Sequence, residues 1–473
     1  MKFKDNLPII IILGLFLLLN ILLINSSEIW WDSAVYIGMG KYIFSYGQAG
    51  LWEPIRPLTL PTVLGFFWKI GLNPLIAGEI FILAISISVI FLTYTVSKKL
   101  FDKNTAIAAS ILISFSTLML KAGSQLLVET LAVFFLLLGF CFYLNKKNFF
   151  SGISFGLAFL TKFPATLFLA IIFATDTLFI FIEKEKFSGF FKKYLYMGLG
   201  FLIITIPYFV FNYINYNDIL LPLKSANYVI NNVVDCTVLH KQPFYYYFPI
   251  LIKDNFLYLF FIAGFLTILL KKNKLNRLSQ LQISFYVIAF LVYFSNLSCK
   301  TERYPILALP FIAMISGYGI METIRRINKK YLKIGLIIIF FISLSLALNY
   351  TFMTLTNRSN NYNNDFYSYL ANKKINGEVL TTTPYLAIST DAKLNIIYYP
   401  IYNSSRIDYY ADYANKNKKQ ISYVFIYTND MTCHPKDLEC PKKTIQFISL
   451  LKINFKTEYY KKIGDSEYFI FSQ

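Results

Sequence analysis

The chain has 473 residues, of which 56% are hydrophobic and only 15% are charged, and its mean hydropathy is +0.51. Soluble domains carry roughly 25% charged residues, so this composition excludes an ordinary soluble protein and predicts a polytopic α-helical membrane protein. The net charge of +19 would suggest nucleic acid in a soluble protein. In a membrane protein, however, Lys and Arg collect in cytoplasmic loops, so we expect no nucleic-acid partner.

The first apolar segment, residues 7–24, is too long for the core of a cleavable signal peptide. The sequence that follows, "INSSEIWW", offers no small-residue cleavage site, so we interpret the segment as a retained membrane span. Trp30 and Trp31 come next and are expected to anchor the chain at the membrane surface.

Six basic clusters set the predicted topology. They are Lys2/Lys4, Lys98/Lys99/Lys103, Lys146/Lys147, Lys184/Lys186/Lys192/Lys193, Lys271/Lys272/Lys274/Arg277 and Arg325/Arg326/Lys329/Lys330/Lys333. If all six face the cytoplasm, an even number of crossings separates each cluster from the next. This parity predicts about eleven spans, with the amino end inside and the carboxyl end outside.

The predicted spans are residues 7–26, 76–97, 104–120, 125–144, two short passes within 149–182, 194–214, 247–270, 278–296, 304–321 and 332–353. The run 149–182 is too long for one helix, and "LTKFPA" at its middle predicts a turn at residues 162–164. The proline-broken segment 57–71 is short, so we interpret it as lying in the outer interface or dipping into the membrane.

These spans divide the chain into a transmembrane domain, residues 1–355, and a small extracytoplasmic α/β domain, residues 356–473. The first outer loop, residues 27–57, is expected to hold an amphipathic interfacial helix. In the tail, "GEVLTTTPYLAIS", "NIIYYPIY", "QISYVFIYT" and "SEYFIFS" are rich in β-forming residues and are separated by turn residues. Cys433 and Cys440 lie close together in this tail, and an outer location allows a local disulfide.

Eight charged residues lie toward the predicted outer face, where ionisable groups are costly and often mark a functional site. They are Asp32, Glu53, Arg56, Lys121, Glu129, Lys162, Glu302 and Arg303. The five cysteines include no CxxC pair and the two histidines are isolated, so no zinc site is indicated.

Asp32 has two interpretations. It stands at an N-cap position before residues with helical spacing, and it is also a candidate catalytic carboxylate. Arg56 either reaches lipid headgroups or contacts a phosphate, for which its planar guanidinium is suited. Glu53 is expected to pair with Arg56.

Glu129 lies about one turn inside its predicted span. It either pairs with Lys121 or Lys162, or acts as a metal ligand or second acidic group beside Asp32. Lys162 is an interfacial lysine or a phosphate-binding group. Arg303 either pairs with Glu302 or binds a phosphate.

The pattern resembles the GT-C superfamily of membrane glycosyltransferases, and most closely its protein O-mannosyltransferase and aminoarabinose transferase branches. The similar stretches are "WWDSAVYIGMGKYIFSYG", "IRPLTLPTVLGFFWKIG", "NPLIAGEIF", "ETLAVFFLLLGFCFYL", "GISFGLAFLTKFPATL" and "RYPILALPFIAMISGYG", in this order over residues 7–355. The resemblance implies that Asp32 is the essential acidic residue of the first outer loop. It also implies that Arg56, which precedes a proline, contacts the donor phosphate. Glu129, Lys162 and Arg303 are looser correspondences. Many members have a second acidic residue after the first, and Ser33 stands there in this chain.

The resemblance implies a multi-pass enzyme of the cell membrane with an extracytoplasmic catalytic face. It would transfer a sugar, with inversion, from a polyprenyl-phosphate donor to a protein, lipid or glycan acceptor. Asp32 would be the base, Arg56, Arg303 and Lys162 would bind the donor phosphate, and a Mg²⁺ or Mn²⁺ ion could bridge Asp32 and Glu129. Besides the donor and a protein or glycolipid acceptor, membrane lipids are the expected partners. A flippase or transporter of lipid-linked glycans is the alternative, and a structural or sensor membrane protein is a third interpretation.

Overall fold

We describe residues 3–23, 29–183, 187–271, 276–356, 364–371, 373, 375–397 and 401–473 of a computed structural model. Assignments made above for Lys2, Lys184, Lys186, Lys272 and Lys274, and for residues 24–28, 357–363 and 398–400, lie outside these residues. The chain is mostly helical and forms two compact units. The first comprises Met1–Glu28, Glu79–Ile219 and Pro243–Ser359, and the second comprises Ile29–Gly78, Leu220–Gln242 and Asn360–Gln473.

Sixteen α-helices precede the carboxyl-terminal tail in the described part of the chain. They are α1 Phe3–Leu23, α2 Trp31–Phe44, α3 Thr59–Lys69, α4 Pro74–Leu100, α5 Lys103–Ser114, α6 Thr117–Ser124, α7 Val128–Leu144, α8 Asn148–Thr161, α9 Thr166–Glu183, α10 Phe187–Tyr216, α11 Leu221–Asn232, α12 Tyr247–Asp254, α13 Phe260–Leu270, α14 Arg277–Asn296, α15 Leu309–Arg326 and α16 Lys330–Thr356. Short 3-10 turns cover Phe163–Ala165, Phe256–Leu259 and Tyr304–Leu307.

Five stretches of the described chain are long and apolar enough to cross a membrane. They are Pro74–Leu100, Phe163–Ile182, Ser188–Tyr216, Arg277–Asn296 and Lys330–Met353. Helices α5 and α6 add a sixth if this pair, bent by 62°, forms one span. Several apolar helices therefore support a membrane protein, while the eleven spans and their orientation stay predictions.

The turn predicted at residues 162–164 is present. Helix α8 ends at Thr161, the backbone of Lys162 is extended, and the short turn Phe163–Ala165 leads into α9. Pro164 has no backbone N–H and its ring would clash with the preceding helical turn, so α8 cannot continue through it, whereas proline is accepted in the first turn of the helix that follows.

Two segments predicted as continuous spans are broken instead. Residues 104–120 are interrupted between α5 and α6, and residues 247–270 are interrupted at Asn255, between α12 and the turn before α13. Polar groups at the two breaks satisfy each other, because the Asp254 carboxylate accepts hydrogen bonds from Ser116 Oγ and Leu118 N, both at 2.8 Å. Irregular backbone inside an apolar unit requires such internal partners.

Helix α2 differs from the expected amphipathic interfacial helix, because residues 32 to 41 are all buried. Its N-cap is Trp30, with extended backbone, so the N-cap position predicted for Asp32 is wrong and Asp32 lies in the first turn. The burial follows from a close crossing with α3. A Cβ added to Gly65 would lie 2.4 Å from the Gly40 carbonyl oxygen, so neither glycine leaves room for a side chain.

The tail contains a five-stranded mixed sheet, in the order β2-β1-β3-β5-β4. The strands are β1 Glu378–Thr381, β2 Lys393–Ile396, β3 Ile421–Tyr427, β4 Lys456–Ile463 and β5 Ser466–Ser472, and the helices are α17 Asn364–Ser368, α18 Leu386–Ser389, α19 Ser404–Lys416 and α20 Cys440–Asn454. β1 pairs in parallel with β2 and β3, whereas β5 is antiparallel to β3 and β4. A disulfide joins Cys433 and Cys440, the pair predicted from the sequence.

The first loop and the tail belong to the same compact unit. Gly50 N donates to Ala392 O at 2.9 Å, and Leu394 N donates to Gly50 O at 2.7 Å, so the loop adds a bridge to the edge strand β2. The domain boundary between residues 355 and 356, which follows from the predicted spans, stays a prediction. The compact units instead place residues 29–78 with the tail.

We expect Gly65→Ala to lower the free energy of unfolding by about 1–3 kcal/mol, because the added methyl group meets helix backbone that has no room to move. The measurement is the thermal unfolding midpoint of the detergent-solubilised chain. Gly198→Ala is the matched control, since a Cβ there would meet nothing within 4 Å. Equal unfolding midpoints for the two variants would contradict the close crossing.

Candidate functional site

Asp32 and Arg56, the two first-loop candidates, are brought together in the second unit. Arg56 Nη2 lies 2.8 Å from Asp32 Oδ1, and the guanidinium carbon lies 5.6 Å from the centre of the Tyr36 ring. Asp32 is in the first turn of α2, and Arg56 lies in the loop before α3. The side chains are 11% and 20% exposed, so both groups are partly accessible. A carboxylate and a guanidinium in contact give this site an acceptor for a proton and a fork of donors for an anion.

Glu53 is the third member of this cluster and contacts Arg56. Its Oε2 accepts from Arg56 Nε at 3.1 Å, as expected from the sequence, and its side chain is only 2% exposed. Burial raises the pKa of the Glu53 carboxyl, while the Arg56 guanidinium acts in the opposite direction. Because Glu53 is almost fully buried, Asp32 is the carboxylate that an incoming molecule can reach.

Glu129, Lys162 and Arg303 form a second cluster, in the first unit. Glu129 Oε1 lies 2.5 Å from Lys162 Nζ and 3.2 Å from Arg303 Nε. Three separate elements supply these groups: the first turn of α7, the break between α8 and α9, and the residue before the turn Tyr304–Leu307. Lys162 Nζ also lies 4.5 Å from the centre of the Tyr304 ring. Of the partners considered for Glu129, Lys162 is therefore present, and Arg303 joins it.

Burial distinguishes the members of this second cluster. The Glu129 side chain has no exposed surface, whereas Lys162 and Arg303 are 14% and 17% exposed. Glu129 Oε2 is buried and has no hydrogen-bond partner in the described residues. A buried carboxylate is tolerated only when it is neutralised, so two cations converge on it. Lys162 and Arg303 are thus the cationic and partly exposed members of the cluster.

The donor set does not favour a metal ion at either carboxylate. Within the described residues, no group of three or more His, Cys, Asp or Glu side chains could hold one. Asp32 already faces Arg56, and Glu129 already faces Lys162 and Arg303. We therefore derive no step through a metal.

A family model described as "Dolichyl-phosphate-mannose-protein mannosyltransferase" matches residues 56–211. No curated protein sequence matches the chain. The fold is similar to that of ArnT from Cupriavidus metallidurans, solved bound to undecaprenyl phosphate. That similarity has a TM-score of 0.67, covers 98% of this chain and 97% of ArnT, and comes with 10% sequence identity.

Two further solved structures share this architecture. AglB, an archaeal oligosaccharyltransferase from Archaeoglobus fulgidus solved with an inhibitory peptide and a dolichol-phosphate, has a TM-score of 0.60 and 13% identity, over 99% of this chain and 74% of AglB. The mycobacterial arabinofuranosyltransferase AftD has a TM-score of 0.51 and 11% identity, over 97% of this chain and 39% of AftD. The chain has the GT-C fold. The resemblance drawn from the sequence is thereby confirmed at the level of the fold.

One polar cluster of this GT-C chain escaped the sequence analysis. Asp176, buried in α9, lies 2.5 Å from Lys193 Nζ and accepts hydrogen bonds from Tyr143, Tyr194 and Gln282. The signal was present, because "FATDTLFIF" places a carboxylate inside an apolar run. Lys193, which the sequence places in a basic cluster, is the partner of this carboxylate. Four helices, α7, α9, α10 and α14, meet at this carboxylate.

We expect Lys162→Met to lower the free energy of unfolding by about 3–5 kcal/mol, because it removes one of the cations that neutralise the fully buried Glu129. The measurement is the unfolding midpoint of the purified chain in detergent. Adding Glu129→Gln to the Lys162→Met variant should restore part of the loss, since it removes the buried charge. An unchanged midpoint for Lys162→Met would contradict the proposed neutralisation of Glu129.

Proposed function

We propose that this chain is an inverting glycosyltransferase that uses a polyprenyl-phosphate sugar as donor and acts at the extracytoplasmic face of the membrane. The GT-C fold and the match to a mannosyltransferase family model support this reaction class. ArnT and AglB were solved with undecaprenyl phosphate and dolichol-phosphate, which supports a lipid-linked phosphate donor. The observation that carries the proposal is the contact between Asp32 and Arg56 in the first loop.

In the proposed reaction, Asp32 accepts the proton of an acceptor hydroxyl. The hydroxyl oxygen attacks the anomeric carbon on the face opposite the phosphate, and the bond from that carbon to the phosphate oxygen breaks. The phosphate leaves with the electron pair, and the configuration at the anomeric carbon is inverted. General base help of this kind contributes about 10²–10⁴ in rate.

Arg56 would link donor binding to the release of the base. In the structure its guanidinium neutralises Asp32. The oxygens of a donor phosphate can accept two parallel hydrogen bonds from a guanidinium, so the phosphate competes with Asp32 for Arg56. When the phosphate takes Arg56, the Asp32 carboxylate is left for the acceptor hydroxyl, so the base would become available only when a donor is bound. Lys162 and Arg303 are proposed as further phosphate-binding groups, because both are cations with partly exposed side chains.

We expect Asp32→Asn to lower the transfer rate by about 10²–10⁴, because the amide keeps the shape of the side chain and cannot accept the proton. The assay follows a radiolabelled polyprenyl-phosphate sugar in vesicles that contain the purified chain and a membrane extract as source of acceptors. Asp465→Asn, an exposed substitution in the turn between β4 and β5, is the charge-matched control. Near-normal transfer by Asp32→Asn would remove Asp32 from its role.

The same assay separates the alternative function. Label that crosses the bilayer without joining an acceptor would indicate a flippase or transporter. Binding of the donor separates the roles of the two residues, because Arg56→Gln should weaken it whereas Asp32→Asn should leave it intact.

Metal dependence has its own test. A divalent cation that bridges Asp32 and Glu129 is a hypothesis from the sequence, whereas the side chains around both carboxylates provide cations of their own. We therefore expect transfer to continue after treatment with EDTA. A loss of transfer that Mg²⁺ or Mn²⁺ restores would instead establish the metal.

A further inference from the structure

The second unit contains a polar cavity of about 690 Å³ that the proposed transfer does not use. Its wall includes the carboxyl end of α2, the end of α3 with the turn into α4, the segment after α17, and the end of α18 with the two residues that follow it. Its polar lining residues are Lys41, Trp68, Asn73, Lys373, Ser389, Thr390 and Asp391. Pockets for small molecules have volumes of roughly 300–1,000 Å³, so this cavity is large enough for one or two sugar rings.

Asp391 is held by one of its two oxygens. Its Oδ1 accepts from Lys41 Nζ at 2.8 Å and from Trp68 Nε1 at 3.0 Å. The Asp391 side chain is 64% exposed, and none of the hydrogen bonds found for the described residues reaches its Oδ2. The carboxylate is thus fixed on one side and open to the cavity on the other. That arrangement orients a strong hydrogen-bond acceptor toward a ligand.

Lys41, which holds the Asp391 carboxylate, is a buried lysine. Burying its charge costs free energy, and an ordinary surface ion pair carries no such cost. The Lys41 side chain is only 4% exposed, and its ammonium also donates to Thr390 O at 2.9 Å. Burial lowers the pKa of Lys41, while Asp391 acts in the opposite direction. An exposed carboxylate on its own would be solvated by water and would need no buried lysine beneath it.

The rest of the lining provides an aromatic surface and donors. Trp68 is partly exposed, and its indole lies beside the carboxylate. Asn73 uses its Oδ1 to accept from the backbone of α4, which leaves its amide NH₂ group as a donor. Lys373 Nζ lies 3.6 Å from the centre of the Tyr369 ring, at the cavity wall.

We propose that this cavity is a saccharide subsite that holds the glycan portion of the acceptor. A sugar ring offers hydroxyl groups that donate to the open oxygen of Asp391 and accept from Asn73 and Lys373. Its C–H face packs on an aromatic ring such as Trp68. Phosphate fits less well, because the exposed carboxylate would repel it. As an acceptor site, the cavity rests on the proposed transferase function and narrows the acceptor to a glycan or a glycosylated molecule.

Saturation-transfer NMR on the full purified chain tests the proposal. The chain is dissolved in a zwitterionic detergent, because maltoside headgroups are themselves saccharides. The probes are mannobiose, chitobiose, cellobiose and maltose, with inorganic phosphate as the anionic comparison. We expect at least one disaccharide to receive saturation from the chain. Asp391→Asn should weaken its binding about tenfold or more, since hydrogen bonds to a charged acceptor are the stronger ones.

Asp412→Asn, an exposed substitution on α19, is the matched control and should bind the disaccharide like the unaltered chain. Trp68→Phe keeps a ring but removes the donor to Asp391, so it should weaken binding less than Trp68→Ala. Equal binding by Asp391→Asn, or no signal from any of the four disaccharides, would overturn the subsite. So would phosphate that binds and gains affinity in Asp391→Asn. None of these outcomes depends on transfer, so loss of the subsite would leave the Asp32 assay to judge the transferase separately.

Discussion

The fully buried Glu129 carboxylate is the charge around which the first unit is organised. A carboxylate without access to water must be neutralised where it stands. Lys162 reaches it from the break between α8 and α9, and Arg303 reaches it from the segment that leads into α15. One charge therefore ties together three elements that are far apart in the chain.

In the second unit, helix α2 is the element that fixes the positions of the charged side chains. Its close crossing with α3 at Gly40 and Gly65, together with its packing against the tail, buries residues 32 to 41 and gives its polar residues fixed positions. Asp32 stands in its first turn and faces Arg56, whereas Lys41 stands in its last turn and supports Asp391. Asp32 and Lys41 are about 14 Å apart along the helix axis, at 1.5 Å per residue. The proposed base and the proposed saccharide subsite thus share one rigid mount.

Several features of the fold and of the candidate site could be predicted from local sequence patterns. The break at Lys162 followed from Pro164 inside an overlong apolar run, and the pairing of Glu53 with Arg56 followed from their spacing. Three of the five strands of the tail, β1, β3 and β5, also lie in stretches predicted as β-rich, and β2 overlaps another by two residues. The breaks around Ser116 and Asn255 were not predicted, because hydropathy does not reveal that Asp254 supplies the partners that broken backbone requires. The N-cap position predicted for Asp32 was wrong because helix α2 begins at Trp31, before the carboxylate, and its N-cap is Trp30.

The sequence by itself determined the membrane class, the candidate charges and the resemblance to GT-C enzymes, because composition, ionisable residues in apolar runs and motif order are properties of the chain read in one dimension. Only the tertiary structure decided which charges meet. Arg303 had a neighbouring glutamate as its alternative partner, yet it contacts Glu129, some 170 positions away. Lys41 and Asp391 are separated by 350 positions, and the buried lysine still pairs with the exposed carboxylate. Such partners are chosen by packing and by the cost of leaving a charge unpaired, and neither is visible until the chain is folded.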